Sequence, residues 1–310
     1  MNKPQHKSEQ GRESASAKIL VIGATGQVGL ALKEILGDRA LLWGREQLNF
    51  ADPAQLREKI LALKPEVVIN AAAYTKVDQA ESEETLAYEI NALAPFALAQ
   101  ACYEVGASFV TYSTDYVYSG EGTQAWCETD QIAPQNAYGR TKAQGERLIL
   151  DWAPADFRFL ILRTSWVYSF IGKNFLLTML KLGSEREDLK VVADQVGAPT
   201  YAPHLAKISL ELLEKLKSST ELSGVYNVCG TGETSWFGFA EEIFLQARQM
   251  NFNMKLKNLT PQASSQYPTP AKRPLNSRMN QDKLRSVLGH QSPEWEIGLA
   301  QCLLQVKAMK

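Results

Sequence analysis

Residues 18–29 read KILVIGATGQVG. The apolar run KILVIG is typical of a buried β-strand, and Gly23, Gly26 and Gly29 follow it at regular spacing. Glycines at such a turn let backbone N–H groups approach a pyrophosphate, and the N-terminus of a helix predicted over residues 27–36 adds partial positive charge. The stretch therefore predicts a dinucleotide site, with a plain tight turn between strand and helix as the alternative.

Short apolar runs alternate with longer segments of helical composition along the first half of the chain. The runs are KILVIG (18–23), ALLWG (40–44), EVVINAAA (66–73), SFVTYS (108–113) and FLILRTSW (159–166). This alternation is typical of βαβ units, so we predict an α/β fold in which residues 18–168 form a Rossmann-type, doubly wound parallel sheet that binds NAD(P).

The pattern changes beyond residue 169. Shorter strand-like runs occur among helices and proline-rich turns, namely LKVVAD (189–194), GVYNVC (224–229) and MKLKNL (254–259). We expect residues 169–310 to form mainly a smaller C-terminal substrate-binding lobe, with some segments returning to the Rossmann domain.

Charge and cysteine content exclude several classes of function. The chain of 310 residues has 33 basic and 34 acidic residues, so no net field attracts nucleic acid or an anionic membrane. Its four cysteines, Cys102, Cys127, Cys229 and Cys302, are far apart, which favours a reducing, cytoplasmic location.

The first 17 residues are polar and predict a disordered tail, and no stretch is long and apolar enough to span a bilayer.

A tyrosine and a lysine share one face of a predicted helix. The helix is expected to begin at Ala137, so that Tyr138 and Lys142, four residues apart, leave it on the same side. The motif STD, which ends with Thr114 and Asp115, follows a strand at the edge where open α/β sheets bind ligands. We predict that the Lys142 cation lowers the pKa of the Tyr138 phenol and that Thr114 orients a substrate carbonyl.

The residues after the second strand bear on the choice of cofactor. An NAD site usually has an acidic residue there for the ribose 2′-hydroxyl, but this chain has Gly44 and Arg45. Arg45 could meet a 2′-phosphate, which predicts a preference for NADPH, with NADH as a second cofactor. An exposed arginine beside a turn is the alternative, and Glu46 weakens the argument.

The order of the strand, GATGQVG, STD and YGRTK resembles the extended short-chain dehydrogenase/reductase superfamily. Within it, six further motifs resemble the dTDP-4-dehydrorhamnose reductase family from Lys18 almost to the C-terminus: NAAAYTKVDQAE (70–81), STDYVYSG (113–120), YGRTKAQGE (138–146), RTSWVY (163–168), VVADQVGAPT (191–200) and RPLNSRMN (273–280). The resemblance implies NADPH-dependent reduction of the C4 keto group of dTDP-4-dehydro-6-deoxy-L-mannose to dTDP-L-rhamnose, in a pathway that supplies surface polysaccharide.

The resemblance also implies roles for individual residues. Tyr138 would be the proton donor, Lys142 its partner that also holds the nicotinamide ribose, and Thr114 the residue that orients the carbonyl. Further cofactor contacts would fall on Gly26, Gln27, Val28, Asn49, Phe50, Ala73, Tyr74, Thr75 and Tyr112. Substrate contacts would fall on Thr114, Asp115, Tyr138 and Trp166. A homodimer is implied too, bridged in some members by Mg²⁺ whose ligands the sequence does not identify.

Three other functions are weighed against reduction. Related 4,6-dehydratases carry Thr-Asp-Glu, but here Tyr116 takes the third position, so elimination lacks one proton carrier. Another nucleotide-sugar epimerase or reductase is harder to exclude. A non-catalytic regulatory subunit of the same family is disfavoured because Thr114, Tyr138 and Lys142 are retained together.

Three residues have competing interpretations. Trp166 is either a core residue or a ligand contact. Arg273 suits a diphosphate, because the guanidinium fork matches such groups, or is simply exposed. Asn91 is a poor helix former in a predicted helix interior, so we expect it to make a backbone contact or to bind a water behind Lys142.

Overall fold

The computed structural model describes residues 19–309, and the predicted tail over residues 1–17 lies outside them. Six strands form one parallel sheet: β1 (Ile19–Ile22), β2 (Ala40–Trp43), β3 (Val67–Asn70), β4 (Ser108–Thr114), β5 (Phe159–Thr164) and β10 (Gly224–Asn227). Their order across the sheet is β10-β5-β4-β3-β1-β2. All six strands are parallel, and the side on which the chain adds the next strand switches between β1 and β3. The predicted α/β class with a doubly wound parallel sheet is confirmed.

Helices cover both faces of this sheet and bury its apolar strands. One face packs against α1 (Gln27–Leu36), α8 (Ala202–Ser218) and α10 (Asp282–Leu288). The other packs against α2 (Pro53–Leu63), α5 (Ala94–Glu104) and α6 (Ala137–Trp152), with the short helices α3 (Val77–Ala80) and α4 (Glu84–Tyr88) before a π-helical turn at Glu89–Leu93. Both faces are buried, which explains why the strands read as continuous apolar runs.

In addition to α8 and α10, three small sheets and three further helices lie in the second half of the described chain. The sheets are β11-β8-β13, β12-β7 and β6-β9, built from β6 (Val167–Tyr168), β7 (Asp188–Val192), β8 (Val196–Gly197), β9 (Thr200–Tyr201), β11 (Thr234–Ser235), β12 (Asn258–Gln262) and β13 (Asn276–Ser277). Helices α7 (Phe175–Glu185), α9 (Trp236–Gln249) and α11 (Trp295–Ala308) share a separate apolar core. No helix within residues 19–309 has the length and apolar character to cross a membrane.

Two of the predicted late strands are placed differently from expectation. Residues 224–229 do not belong to the small sheets, because Gly224–Asn227 pair with β5 at the edge of the large sheet. The strand predicted over 254–259 begins only at Asn258, since the Lys255 and Leu256 N–H groups donate to the Gly183 carbonyl at the end of α7. Their hydrogen bonds complete a helix terminus, which local apolar pattern does not reveal.

Candidate active site

The turn between β1 and α1 is shaped by glycines that have no room for a side chain. Gly23 has φ +86°, and a Cβ there would lie 2.7 Å from backbone atoms of Ala71 and Ala72. A Cβ on Gly29 would lie 2.2 Å from the Gly23 oxygen. Gly26 precedes the helix without a side-chain cap, so its first N–H groups face outward unblocked. This arrangement fits the pyrophosphate of a dinucleotide.

The side chains of Gln27 and Val28 face the protein. The Gln27 amide donates to the Val167 carbonyl at 3.4 Å and accepts from Asn174 at 2.8 Å, while Val28 packs against the apolar core. Only their backbone N–H groups are therefore suited to the predicted cofactor contacts.

The loop after β2 presents exposed polar groups. Arg45 is exposed, Asn49 accepts a bond from the Ala51 N–H at 3.1 Å, and Phe50 packs against the core beneath α2 and α5. The Trp43 carbonyl accepts bonds from Gly23 and Ala24, which holds this loop beside the glycine turn. Arg45 thus follows the end of β2 by two residues, near the position where an acidic residue would select NAD.

The segment after β3 is fixed by Asn91, which lies in the π-helical turn. Asn91 accepts from the Tyr74 N–H at 2.9 Å, donates to the Tyr74 carbonyl at 3.1 Å, and donates to Thr141 Oγ1 of α6 at 3.2 Å. The predicted backbone contact of Asn91 is confirmed. Ala73 is half-buried and Thr75 is exposed on the same segment.

The phenol of Tyr74 points to a carboxylate. Its hydroxyl donates to Glu83 at 2.6 Å, and burial together with this bond raises the pKa of Tyr74 to about 12. The hydroxyl, the backbone N–H and the carbonyl of Tyr74 are therefore all hydrogen-bonded within the protein.

Lys142 is buried beneath the carboxyl edge of the sheet. Its ammonium donates to the Tyr112 carbonyl at 2.6 Å, while the Tyr112 hydroxyl donates to Ser209 of α8 at 2.9 Å. Burial lowers the pKa of Lys142 to about 8, and the carboxylate of Glu146 opposes this shift. Glu146 in turn forms a fully buried ion pair with Arg163 of β5 at 2.6 Å.

Tyr138 lies beside Thr114, as the motif order predicts. The Tyr138 hydroxyl is hydrogen-bonded to the Thr114 side chain, and burial raises the pKa of the phenol well above its usual value. The prediction that Lys142 lowers this pKa is wrong. Burial is the largest cause of the rise in this pKa, and the ammonium of Lys142 is directed to a backbone carbonyl.

Thr114 and Asp115 form a buried polar pair. The Thr114 hydroxyl donates to Asp115 at 3.0 Å and accepts from the Tyr116 N–H at 3.3 Å. Asp115 also accepts a short hydrogen bond from Ser277. Burial raises the pKa of Asp115 to about 6, and these donors limit the rise. Asp115 is 2% exposed, so it is suited to hold Thr114 rather than to make a broad substrate contact.

Trp166 stands at a backbone turn with φ +49°, which is unusual for a side chain of its size. It stacks on Trp236, with ring centroids 3.7 Å apart and the planes inclined by 14°. The two indoles give this side of the site an aromatic surface. Trp236 was not predicted, and its only sequence signal is an aromatic residue directly after the helix-capping Ser235.

Four further side chains lie close to the predicted site, namely Asp78, Tyr116, Arg273 and Ser277. Arg273 pairs with Asp78 at 2.6 Å and donates to the Tyr116 hydroxyl at 3.2 Å. The exposed-arginine interpretation is therefore wrong, because only 27% of the Arg273 side chain is exposed.

The described residues contain no ready metal centre. Within residues 19–309 no group of three or more histidine, cysteine, aspartate or glutamate side chains is arranged to hold a metal ion.

Comparison with known proteins places these features in a family. Residues 17–308 match the family described as RmlD substrate binding domain. The chain is 39% identical over 291 residues to dTDP-4-dehydrorhamnose reductase of Escherichia coli (strain K12), covering 92% of this chain and 96% of that protein.

Solved structures agree with the sequence match. A dTDP-4-dehydrorhamnose reductase from Clostridium acetobutylicum ATCC 824 superposes with a TM-score of 0.86 at 36% identity, covering 93% of this chain and 99% of that one. A dTDP-4-dehydrorhamnose reductase from Bacillus anthracis str. Ames, solved in complex with NADP, has a TM-score of 0.85 at 38% identity and covers 93% and 98%.

Proposed function

The chain belongs to the RmlD substrate binding domain family, and on that premise we propose that it reduces the C4 keto group of dTDP-4-dehydro-6-deoxy-L-mannose to dTDP-L-rhamnose with NADPH. The observation that carries this proposal is Tyr138 hydrogen-bonded to Thr114 at the sheet edge, with Lys142 buried on the same helix. The glycine turn with its unblocked helix N-terminus supports the cofactor half of the proposal.

The proposed chemistry needs one hydride and one proton. NADPH, when bound, supplies the hydride to the C4 carbon. Tyr138 gives its proton to the C4 oxygen, and the Thr114 hydroxyl, which donates to Asp115 in the structure, would turn its proton to the same C4 oxygen to hold it in position. The raised pKa of Tyr138 keeps the phenol protonated before transfer, and Lys142 would hold the nicotinamide ribose beside it.

The remaining proposed contacts follow the chain through the site. The cofactor pyrophosphate would meet Gly23, Gly26, Gln27, Val28 and Gly29, the adenine half Arg45, Asn49 and Phe50, and the nicotinamide half Ala73, Tyr74, Thr75, Tyr112, Tyr138 and Lys142. The sugar would meet Thr114, Asp115, Tyr138 and Trp166. The aromatic surface formed by Trp166 and Trp236 supports the proposal that a flat face of the bound ligand packs beside Trp166.

A turnover assay tests the reaction. The protein is mixed with NADPH and dTDP-4-dehydrorhamnose, and the absorbance of the reduced nicotinamide is followed together with the product. We expect one NADPH consumed for each dTDP-L-rhamnose formed. An isomerised ketone without NADPH consumption would favour an epimerase, and neither product nor NADPH consumption would favour a regulatory subunit.

We also propose that NADPH is preferred to NADH because Arg45 meets the 2′-phosphate. Removal of the arginine in Arg45→Ala should lower the ratio of kcat/KM for NADPH to that for NADH by about tenfold, the loss expected for one charge-assisted contact. Arg147→Ala, which removes an exposed arginine of α6, is the matched control. An unchanged ratio in Arg45→Ala would contradict this assignment.

Several broader predictions stay proposals. We propose an NAD(P)-binding unit over residues 18–168, with residues 169–310 mainly a substrate-binding lobe. We also propose that the protein is a homodimer, which light scattering would test.

The four free cysteines support a cytoplasmic location. No three-residue acidic or histidine cluster within residues 19–309 supports a Mg²⁺ site in one chain, and no step above uses a metal.

A further inference from the structure

Tyr116 packs directly against the catalytic phenol. The rings of Tyr116 and Tyr138 meet edge to face, with centroids 5.5 Å apart and planes inclined by 77°. Its N–H group also donates to Thr114, the residue proposed to hold the carbonyl. Tyr116 is half-buried, so its side chain lies at the wall of the site rather than in the core.

An arginine from the far end of the chain holds the Tyr116 hydroxyl. Arg273 donates to that hydroxyl at 3.2 Å with one nitrogen and to Asp78 at 2.6 Å with another. The segment around Arg273 is fixed at the neighbouring backbone, because the Ala271 N–H donates to Asp78 at 3.3 Å and Asn136 donates to the Lys272 carbonyl at 2.7 Å. The backbone just before Arg273 is therefore fixed at two residues, and the guanidinium itself is held by Tyr116 and Asp78.

The direction of this hydrogen bond fixes what the Tyr116 hydroxyl can do. A guanidinium has donors and no acceptor, so the tyrosine oxygen accepts and its own proton is left for another partner. The positive charge of the Arg273 guanidinium beside the Tyr116 oxygen polarises the O–H bond, which makes the Tyr116 hydroxyl a stronger hydrogen-bond donor. Burial raises the pKa of Tyr116, so this proton is retained at neutral pH.

Building on the reductase function proposed above, we propose that Tyr116 donates a charge-assisted hydrogen bond to an oxygen of the sugar ring or its hydroxyls. In this arrangement Tyr116 is a specificity-determining residue for the hexose, and Arg273 is a positioning residue that acts through it. Asp78 keeps the arginine from turning toward solvent or toward a diphosphate. The tyrosine in STDYVYSG thus has a binding role of its own.

Binding measurements separate this role from packing. Tyr116→Phe keeps the ring against Tyr138 and removes only the hydroxyl. We expect calorimetry to show dTDP-L-rhamnose binding weakened by about tenfold or more, as for the loss of a hydrogen bond with charged character. Binding of dTDP alone and of NADPH should stay at the wild-type values, as should all three in the control Tyr103→Phe on α5.

The arginine is tested through a double-variant cycle. Arg273→Met should weaken dTDP-L-rhamnose binding in the presence of Tyr116 but add little in the Tyr116→Phe background, since both changes remove one interaction. Arg273→Lys, which keeps a cation, should restore part of the affinity. Additive losses of Arg273→Met and Tyr116→Phe would overturn the assigned role of Arg273.

The same measurements separate the two proposals. If wild-type protein reduces dTDP-4-dehydrorhamnose but Tyr116→Phe binds dTDP-L-rhamnose equally well, the role of Tyr116 is overturned and the reductase function stands. Equal weakening of dTDP and dTDP-L-rhamnose would also overturn a sugar contact. If the wild-type protein neither binds dTDP-L-rhamnose nor turns over, the reductase function itself fails.

Discussion

Asp115 is a carboxyl group held at the centre of the site by two hydroxyls, those of Thr114 and Ser277. Burial disfavours its charged form and raises its pKa to about 6, although both hydroxyls stabilise the anion. In an unfolded chain an aspartate has a pKa of about 3.9. Between these values the folded protein binds more protons than the unfolded chain.

This difference predicts how the stability depends on pH. Because the pKa is raised on folding, the contribution of Asp115 to the free energy of unfolding is fully present below about pH 4 and is lost as the pH rises through about 6, a change of about 3 kcal/mol. Chemical denaturation at several pH values should show this fall in wild type relative to Asp115→Asn. The exposed control Asp38→Asn should follow wild type, and parallel curves for Asp115→Asn would contradict the prediction.

The identity of the central residues could be predicted, but several of their environments could not. Tyr138, Lys142 and Thr114 follow from helical spacing and strand ends, which are local properties. The raised pKa of Tyr138 depends on how deeply tertiary packing buries the ring. Arg273 and its partner Asp78 are 195 residues apart, so no local pattern reveals their pairing.

Helix α6 carries Tyr138 and Lys142, the proposed catalytic pair, and its position depends on the π-helical turn at Glu89–Leu93. Asn91 of this turn binds Thr141 of α6 and the backbone of Tyr74. Gly145 faces the turn so closely that a Cβ there would lie 2.3 Å from the Asn91 oxygen. π-Helical turns occur often at functional sites, and here the turn joins the catalytic helix to the segment after β3.

Gly145→Ala tests this contact. Alanine favours a helix interior over glycine by about 1 kcal/mol, but the new Cβ meets backbone that cannot easily move. We expect a net loss of about 1–3 kcal/mol in the free energy of unfolding and a lower kcat, since Tyr138 and Lys142 move with the helix.

The matched control is Gln144→Ala, which changes the exposed neighbouring residue of the same helix. Its free energy of unfolding should stay within about 0.5 kcal/mol of wild type. A Gly145→Ala protein as stable and as active as wild type would show that the close approach of α6 to the π-turn is not required.

In the whole molecule, the second half of the chain supplies elements that complete the large sheet and its helical cover. One face of the large sheet is covered by α8, whose buried residues include Leu205, Ile208 and Leu212. Strand β10 forms the sheet edge beside β5. The alternation of strands and helices predicted the sheet but not these returning elements. The sequence of an amphipathic helix does not indicate which sheet, or which face of it, the helix will cover.

This arrangement predicts that residues 18–168 do not fold alone. Without α8 and α10 the fragment exposes the part of one sheet face that α1 does not cover, and each buried leucine or isoleucine lost costs about 1.5–3 kcal/mol. Circular dichroism during urea titration should show no cooperative transition for the fragment, in contrast to the full chain. A cooperative transition with native-like m-value per residue would show that the proposed NAD(P)-binding unit is independently stable.

The most direct test of the central claim, that Tyr138 gives the proton in a reduction at C4, is the turnover of Tyr138→Phe with NADPH and dTDP-4-dehydrorhamnose. We expect a fall in kcat of about 10²–10⁴-fold, the usual contribution of a general acid, with NADPH binding retained. Turnover of Tyr138→Phe at the wild-type rate would contradict it.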